Sequence, residues 1–131
     1  VERPQHRVRL SEYFISRAPI TWQAFARFRT AMRLDGPAVP AGHELHPVTQ
    51  VSWDDAVAFC NWLSGPGWKY RLPTEAEWEK ASRGSNAQLF PWGDIWGGDR
   101  ANVDHAHTGT TPIGAYSPAG DSPTVKGPFT I

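Results

Sequence analysis

Apolar residues recur at helical spacing in two places along the chain and fall into short mixed runs elsewhere. Trp22, Phe25, Phe28 and Met32 lie three or four positions apart behind Thr21. The Thr21 hydroxyl can accept from an unpaired first-turn amide, so an amphipathic helix is predicted to begin there. A second stripe of Trp53, Val57, Cys60 and Leu63 is broadened by Phe59 and Trp62. Ser52 precedes it as a predicted cap, and Asp54 and Asp55 put negative charge where the helix dipole favours it. Ser64-Gly65-Pro66-Gly67 ends this helix. A third helix opens with Thr74 and Glu77, spaced so that each side chain can satisfy the other's backbone amide. Trp78 and Ala81 are expected to face inward from it, Glu79 and Arg83 to pair across one turn, and Gly84 to stop it.

Ahead of the first helix, Val8 to Ser16 mixes apolar and polar side chains as short strands do, with Val8, Leu10, Phe14 and Ile15 able to face inward. The stretch from Arg33 to Pro47, punctuated by Gly36, Pro37, Pro40 and Gly42, reads as a loop. Phe90-Pro91-Trp92-Gly93-Asp94 reads as a tight aromatic turn, and the chain beyond it as loops with short strands. The predicted fold is therefore α+β, a single domain over residues 1–131 rich in irregular loops. Such loops need buried polar contacts or ions to hold them.

Composition narrows the picture. With 131 residues, 40% hydrophobic and 20% charged, the chain can build one modest core. Seven tryptophans imply aromatic clusters or an aromatic-lined surface. Thirteen basic residues balance thirteen acidic ones with no basic run, so nucleic acid is not an expected partner. No apolar stretch approaches the roughly 20 residues that cross a bilayer, and no signal-like segment opens the chain. The reading is of a soluble protein whose compartment the sequence leaves unknown. Cys60 is the lone cysteine, so an intrachain disulfide is excluded.

Several residues carry candidate chemistry. Asp99, Asn102, Asp104, His105 and His107 gather oxygen and nitrogen donors in one loop of the kind calcium favours. Asp104, His105 and His107 have the donor types for zinc or copper, but their short spacing strains the geometry and solvated loop histidines are the expected outcome. His43-Glu44-Leu45-His46 lacks the H-E-x-x-H spacing, and the surrounding prolines and Gly42 prevent a continuous helix, so no zinc motif is expected there. Cys60 sits among aromatic residues on an apolar stripe and reads as a structural thiol. Glu75 and Glu77 read as dipole partner and cap rather than as a catalytic pair. Trp92, Trp96 and Tyr116 either line a ligand surface or anchor loops.

Five ordered segments resemble one known family. Pro19-Ile20-Thr21 is similar to its entry into the first helix, and Pro47-Val48-Thr49-Gln50-Val51-Ser52-Trp53-Asp54-Asp55-Ala56 to its "PV-x-x-VSW-x-x-A" segment. Tyr70-Arg71-Leu72-Pro73-Thr74-Glu75-Ala76-Glu77-Trp78-Glu79 is close to its main signature, and Phe90-Pro91-Trp92-Gly93-Asp94 and Gly109-Thr110-Thr111-Pro112-Ile113-Gly114 follow in order. These segments resemble the formylglycine-generating-enzyme, or sulfatase-modifying-factor, domain family. The resemblance implies a C-type-lectin-like arrangement. It also implies a calcium site to which Asn102 and Val103 correspond, with Asp104 nearby. A structural calcium ion is thus the cofactor that the resemblance allows, with a loop held by hydrogen bonds alone as the other reading.

The family's type members oxidise a sulfatase cysteine with copper, which as the soft cuprous ion selects thiolates. The "GNVWEW" motif and the later block with two catalytic cysteines are absent from this sequence, so copper is not expected. Glu2-Arg3-Pro4-Gln5-His6-Arg7-Val8 opens the chain, while Lys126-Gly127-Pro128-Phe129-Thr130-Ile131 resembles the strand that normally precedes it. The copy therefore reads as incomplete or rearranged, lacking the family's C-terminal catalytic segment. A non-catalytic binding or accessory module for a protein or small-molecule ligand is the first expectation. The alternative is a fragment of a copper-dependent formylglycine-generating oxidase, or of an iron-dependent thiol-histidine biosynthesis enzyme. Missing strands would also leave an open sheet edge through which the chain could self-associate.

Overall fold

The computed structural model describes residues 6–84, 86, 88–103 and 107–117. Three helices stand at the predicted places: α1 Trp22–Met32, α2 Trp53–Leu63 and α3 Glu75–Arg83. In α1 the Thr21 hydroxyl accepts from the Ala24 amide at 3.2 Å. The helix ends where Arg33 turns left-handed, at φ 55° and ψ 40°, and returns its amide to the Arg29 and Thr30 carbonyls.

Both later helices open with a full capping box. At α2, Asp55 is more than a dipole partner. Its carboxylate accepts from the Ser52 amide at 2.9 Å and the Ser52 hydroxyl at 2.7 Å, while the Asp55 amide donates back to the Ser52 oxygen at 3.1 Å. The Ser52 side-chain bond, and then its amide, hold the Asp55 carboxyl below its ordinary range. At α3 the Thr74 amide donates to Glu77 at 2.8 Å. Glu79 and Arg83 pair at 2.7 Å along its exposed side, and Gly84 stops it at φ 68°.

The core lies between α1 and α2. Phe25, Phe28 and Phe59 form it, with Ile20, Ala24, Val48 and Leu63 packed around them. The three rings stand 5.3–5.6 Å apart: Phe25 stacks on Phe59, and Phe28 meets both edge-on. Trp62 leans on Phe28 at 5.7 Å. The loop after α1 returns to the start of that helix, where Val48 donates to the Ile20 carbonyl at 2.8 Å and Trp22 to the His46 carbonyl at 3.0 Å.

Four sequence expectations change here. Val8 to Ser16 forms no strand, and Val8 and Phe14 are exposed. Pairing among the described residues consists of the isolated bridges Thr21–Pro47, Gly65–Trp68 and Phe90–Gly93. Trp53 is 70% exposed, because the buried face of α2 centres on Phe59; at 3.6 residues per turn Trp53 stands about 120° around the helix from it. Trp78 is 61% exposed, since α3 turns the neighbouring Glu77 inward instead. Met32, on the last turn of α1, is exposed as well.

Candidate functional site

The aromatic turn after α3 is the best-formed cluster outside the core. Phe90 and Gly93 exchange both backbone hydrogen bonds, at 2.9 and 3.1 Å, so the chain reverses within Pro91-Trp92. Gly93 has φ 132°, a region that side chains disfavour. The base of the turn is closed by the Leu89 amide, which donates to the Asp94 carboxylate at 2.8 Å. Arg83 fastens it to α3 through a bond from Nε to the Gln88 carbonyl at 2.7 Å.

Inside this frame Phe90 and Trp92 stack nearly parallel at 5.6 Å. Trp96 stands against them at 5.2 and 6.3 Å. The Trp92 indole N–H donates to the Ile95 carbonyl at 3.1 Å, which fixes that ring. Trp92 is half-buried and anchors the turn, whereas Trp96 is 49% exposed and Ile95 and Leu89 project into solvent. Trp92 is thus tied into the turn through its indole N–H, while Trp96 packs on Phe90 and keeps about half of its surface exposed. Tyr116 is half-buried, and no ring contact among the described residues joins it to them.

Asn102 is exposed and donates through Nδ2 to the Gly109 carbonyl at 2.7 Å, closing its loop. Among the described residues none donates to its Oδ1. Val103 is half-buried beside it. Asp104 and His105 lie outside the described residues, and His107 is exposed. Among the described residues no group of three or more His, Cys, Asp or Glu is placed to hold a metal ion.

The signature around α3 builds a charged lock. Arg71 and Glu77 meet as a two-pronged pair, Nη1 to Oε2 at 2.7 Å and Nη2 to Oε1 at 2.6 Å. Glu77 is only 7% exposed, and its backbone carbonyl accepts from the Tyr13 hydroxyl at 2.7 Å. The Arg71 bonds first, and then the Thr74 amide, pull the Glu77 carboxyl down to about 2. The same pairing pushes the Arg71 guanidinium further up. Burial, and then the Glu77 charge, push up the Tyr13 phenol. A carboxylate so committed to its charge is poorly matched to proton transfer near neutral pH. The sequence showed Glu77 as a cap but not its Arg71 partner; an arginine six residues ahead of a buried capping glutamate was the available signal.

Cys60 is half-buried on α2, and burial pushes its thiol up, away from the nucleophilic thiolate. His43 and His46 come together at the loop tip with ring centres 4.4 Å apart, although sequence spacing had pointed away from any motif there.

Residues 1–123 match the sulfatase-modifying factor enzyme 1-like domain. The chain belongs to that family. A formylglycine-generating enzyme of Thermomonospora curvata is 41% identical over 57% of this chain and 28% of its own length. An inactive C-alpha-formylglycine-generating enzyme 2 of Bos taurus is 39% identical over 57% of this chain and 27% of its own. The serine/threonine-protein kinase pkn1 of Chlamydia pneumoniae is 31% identical across 92% of this chain and 23% of its own. The chain therefore spans about a quarter of the length of these curated relatives. Among the described residues no helix is long and apolar enough to cross a membrane.

Proposed function

We propose that this chain is a non-catalytic binding or accessory module of the sulfatase-modifying-factor family, with a C-type-lectin-like arrangement of its loops. The observation that carries the reading is the state of Cys60. It is the lone thiol of the chain, half-buried and biased toward its protonated form, so the chain itself brings no thiolate pair for cuprous chemistry. The existence of a relative named inactive supports the same direction. Trp96 and Ile95, standing exposed on a braced turn, are the surface offered to a protein or small-molecule ligand. Asn102 Oδ1 and the Val103 carbonyl are the oxygen donors available to a structural calcium ion in the adjoining loop.

The test is incubation of the full chain with copper, oxygen and a peptide containing Cys-x-Pro-x-Arg, read by mass spectrometry. No aldehyde is expected, and its formation would overturn the proposal. The second reading is a fragment of an oxidase whose remaining active-site residues lie outside this chain. It is favoured by the quarter-length span against relatives named as formylglycine-generating enzymes. A flanking coding sequence with "GNVWEW" and a downstream cysteine pair would decide for it.

A further inference from the structure

The turn from His43 to His46 is pinned at each of its carbonyls. The His43 carbonyl accepts from the His46 amide at 2.9 Å, Glu44 from Gln23 at 3.0 Å, Leu45 from Ile113 at 2.9 Å and His46 from Trp22 at 3.0 Å. Two of these donors open α1, so the turn is fastened to the helix that carries the core. Both imidazoles stand on this backbone. His43 Nδ1 lies 3.1 Å from the Ala41 carbonyl, which can only accept, so Nδ1 is the nitrogen that donates there and Nε2 is the one left for a ligand in the neutral ring. His46 Nδ1 lies 3.0 Å from the Thr110 hydroxyl. Each ring is thus held through one nitrogen by a neighbouring oxygen. This is the pattern by which metal-binding histidines are oriented from behind.

For Nε2 atoms turned to a common point, the ring spacing selects the geometry of the ion. Two imidazoles binding one ion through Nε2 at about 2.0–2.1 Å place their centres about 5.2 Å apart at a tetrahedral angle and about 4.5 Å apart at a right angle. The observed separation is 4.4 Å. Right-angled neighbours belong to tetragonal or octahedral coordination, and imidazole with tetragonal geometry suits nickel(II) and copper(II).

We propose that His43 and His46 form a two-imidazole site for a divalent transition ion of tetragonal preference, its other positions taken by water or by a ligand's oxygen. The Nε2 atoms are the donors, and Ala41 and Thr110 position them. The site shares no donor atom with the Asn102 loop, although Thr110 follows the Gly109 that Asn102 holds, and it needs no thiolate, so it can hold or fail without touching the reading of Cys60.

Calorimetric titration of the metal-free full chain with nickel chloride tests it. One ion per chain is expected, with selective paramagnetic broadening of the His43 and His46 ring signals. His43→Gln and His46→Gln should each weaken binding by more than about tenfold, and Thr110→Val by about tenfold, since partners behind a ligand typically contribute that much. His107→Gln should leave binding unchanged. Metal-free melting curves of the variants separate lost ligation from lost folding. Absence of saturable binding by the native chain, or nickel binding that survives in the double His43→Gln/His46→Gln variant, overturns the proposal.

Discussion

Truncating Phe28 to alanine is the most direct test of where this fold keeps its stability. Phe28 is 1% exposed and touches the rings of Phe25, Phe59 and Trp62. It is the residue through which α1 and α2 close on each other. A buried Phe→Ala change costs about 3–5 kcal/mol, because the cavity it leaves collapses only in part. Phe28 meets aromatic rings on several sides, and aromatic pairs contribute about 0.5–1.5 kcal/mol beyond the area they bury, so the upper part of that range is expected. A domain of this size is stable by roughly 5–15 kcal/mol in total. Its midpoint should therefore fall by roughly 10–20 °C. Trp53→Ala supplies the contrast. Trp53 belongs to the apolar stripe read from the sequence, but it is 70% exposed, so its loss should stay within about 0.5 kcal/mol. Urea melts followed by circular dichroism measure both, and equal slopes would show that the unfolding transition is the same. If Trp53→Ala costs as much as Phe28→Ala, or if Phe28→Ala costs less than about 1 kcal/mol, the core has been placed on the wrong face of α2.

Further tests address the polar lock and the loop. Glu77 has its carboxyl pulled from an ordinary 4.5 down to about 2, so its contribution is fully present above the ordinary value and is lost as pH falls toward about 2. Glu77→Gln should lower stability at neutral pH and shrink the loss of stability on acidification across that window; parallel native and variant profiles in acid urea melts would contradict the lock. Millimolar calcium should raise the melting midpoint of the native chain and leave that of Asn102→Ala unmoved, since an ion bound only by the folded state shifts the equilibrium toward it. An unmoved native midpoint would remove the calcium reading of the Asn102 loop.

Helix positions and caps were legible because they depend on local chemistry. Thr21, Ser52 and Thr74 each accept from the amide of the residue three positions on, and spacing alone reveals this. Orientation was less legible. Trp53, Val57, Cys60 and Leu63 and the broader set with Phe59 and Trp62 are both apolar stripes on α2. The choice between them is made by Phe25 and Phe28 arriving from another helix, which periodicity within α2 cannot report. For α3 the hydrophobic rule pointed to Trp78, whereas a paired carboxylate took the buried position. Val8 to Ser16 misled for a related reason. Its mixed pattern fits a strand, but Tyr13 ties it to the Glu77 carbonyl instead of to a neighbouring strand.

The same distinction separates the candidate sites. Phe90 to Asp94 announced itself because a glycine and an aspartate at fixed offsets make a turn by themselves, and Trp96 followed it into the cluster. His43 and His46 carried no such signal, since their spacing fits no helical metal motif. Their meeting depends on Gln23, Ile113 and Thr110, residues drawn from opposite ends of the described chain. Side-chain placement in the loops of this domain therefore depends on long-range hydrogen bonds to backbone carbonyls. Those bonds fix where side chains stand without constraining which side chains stand there. Loop side chains can then be exchanged while the Arg71–Glu77 lock and the phenylalanine core keep the frame.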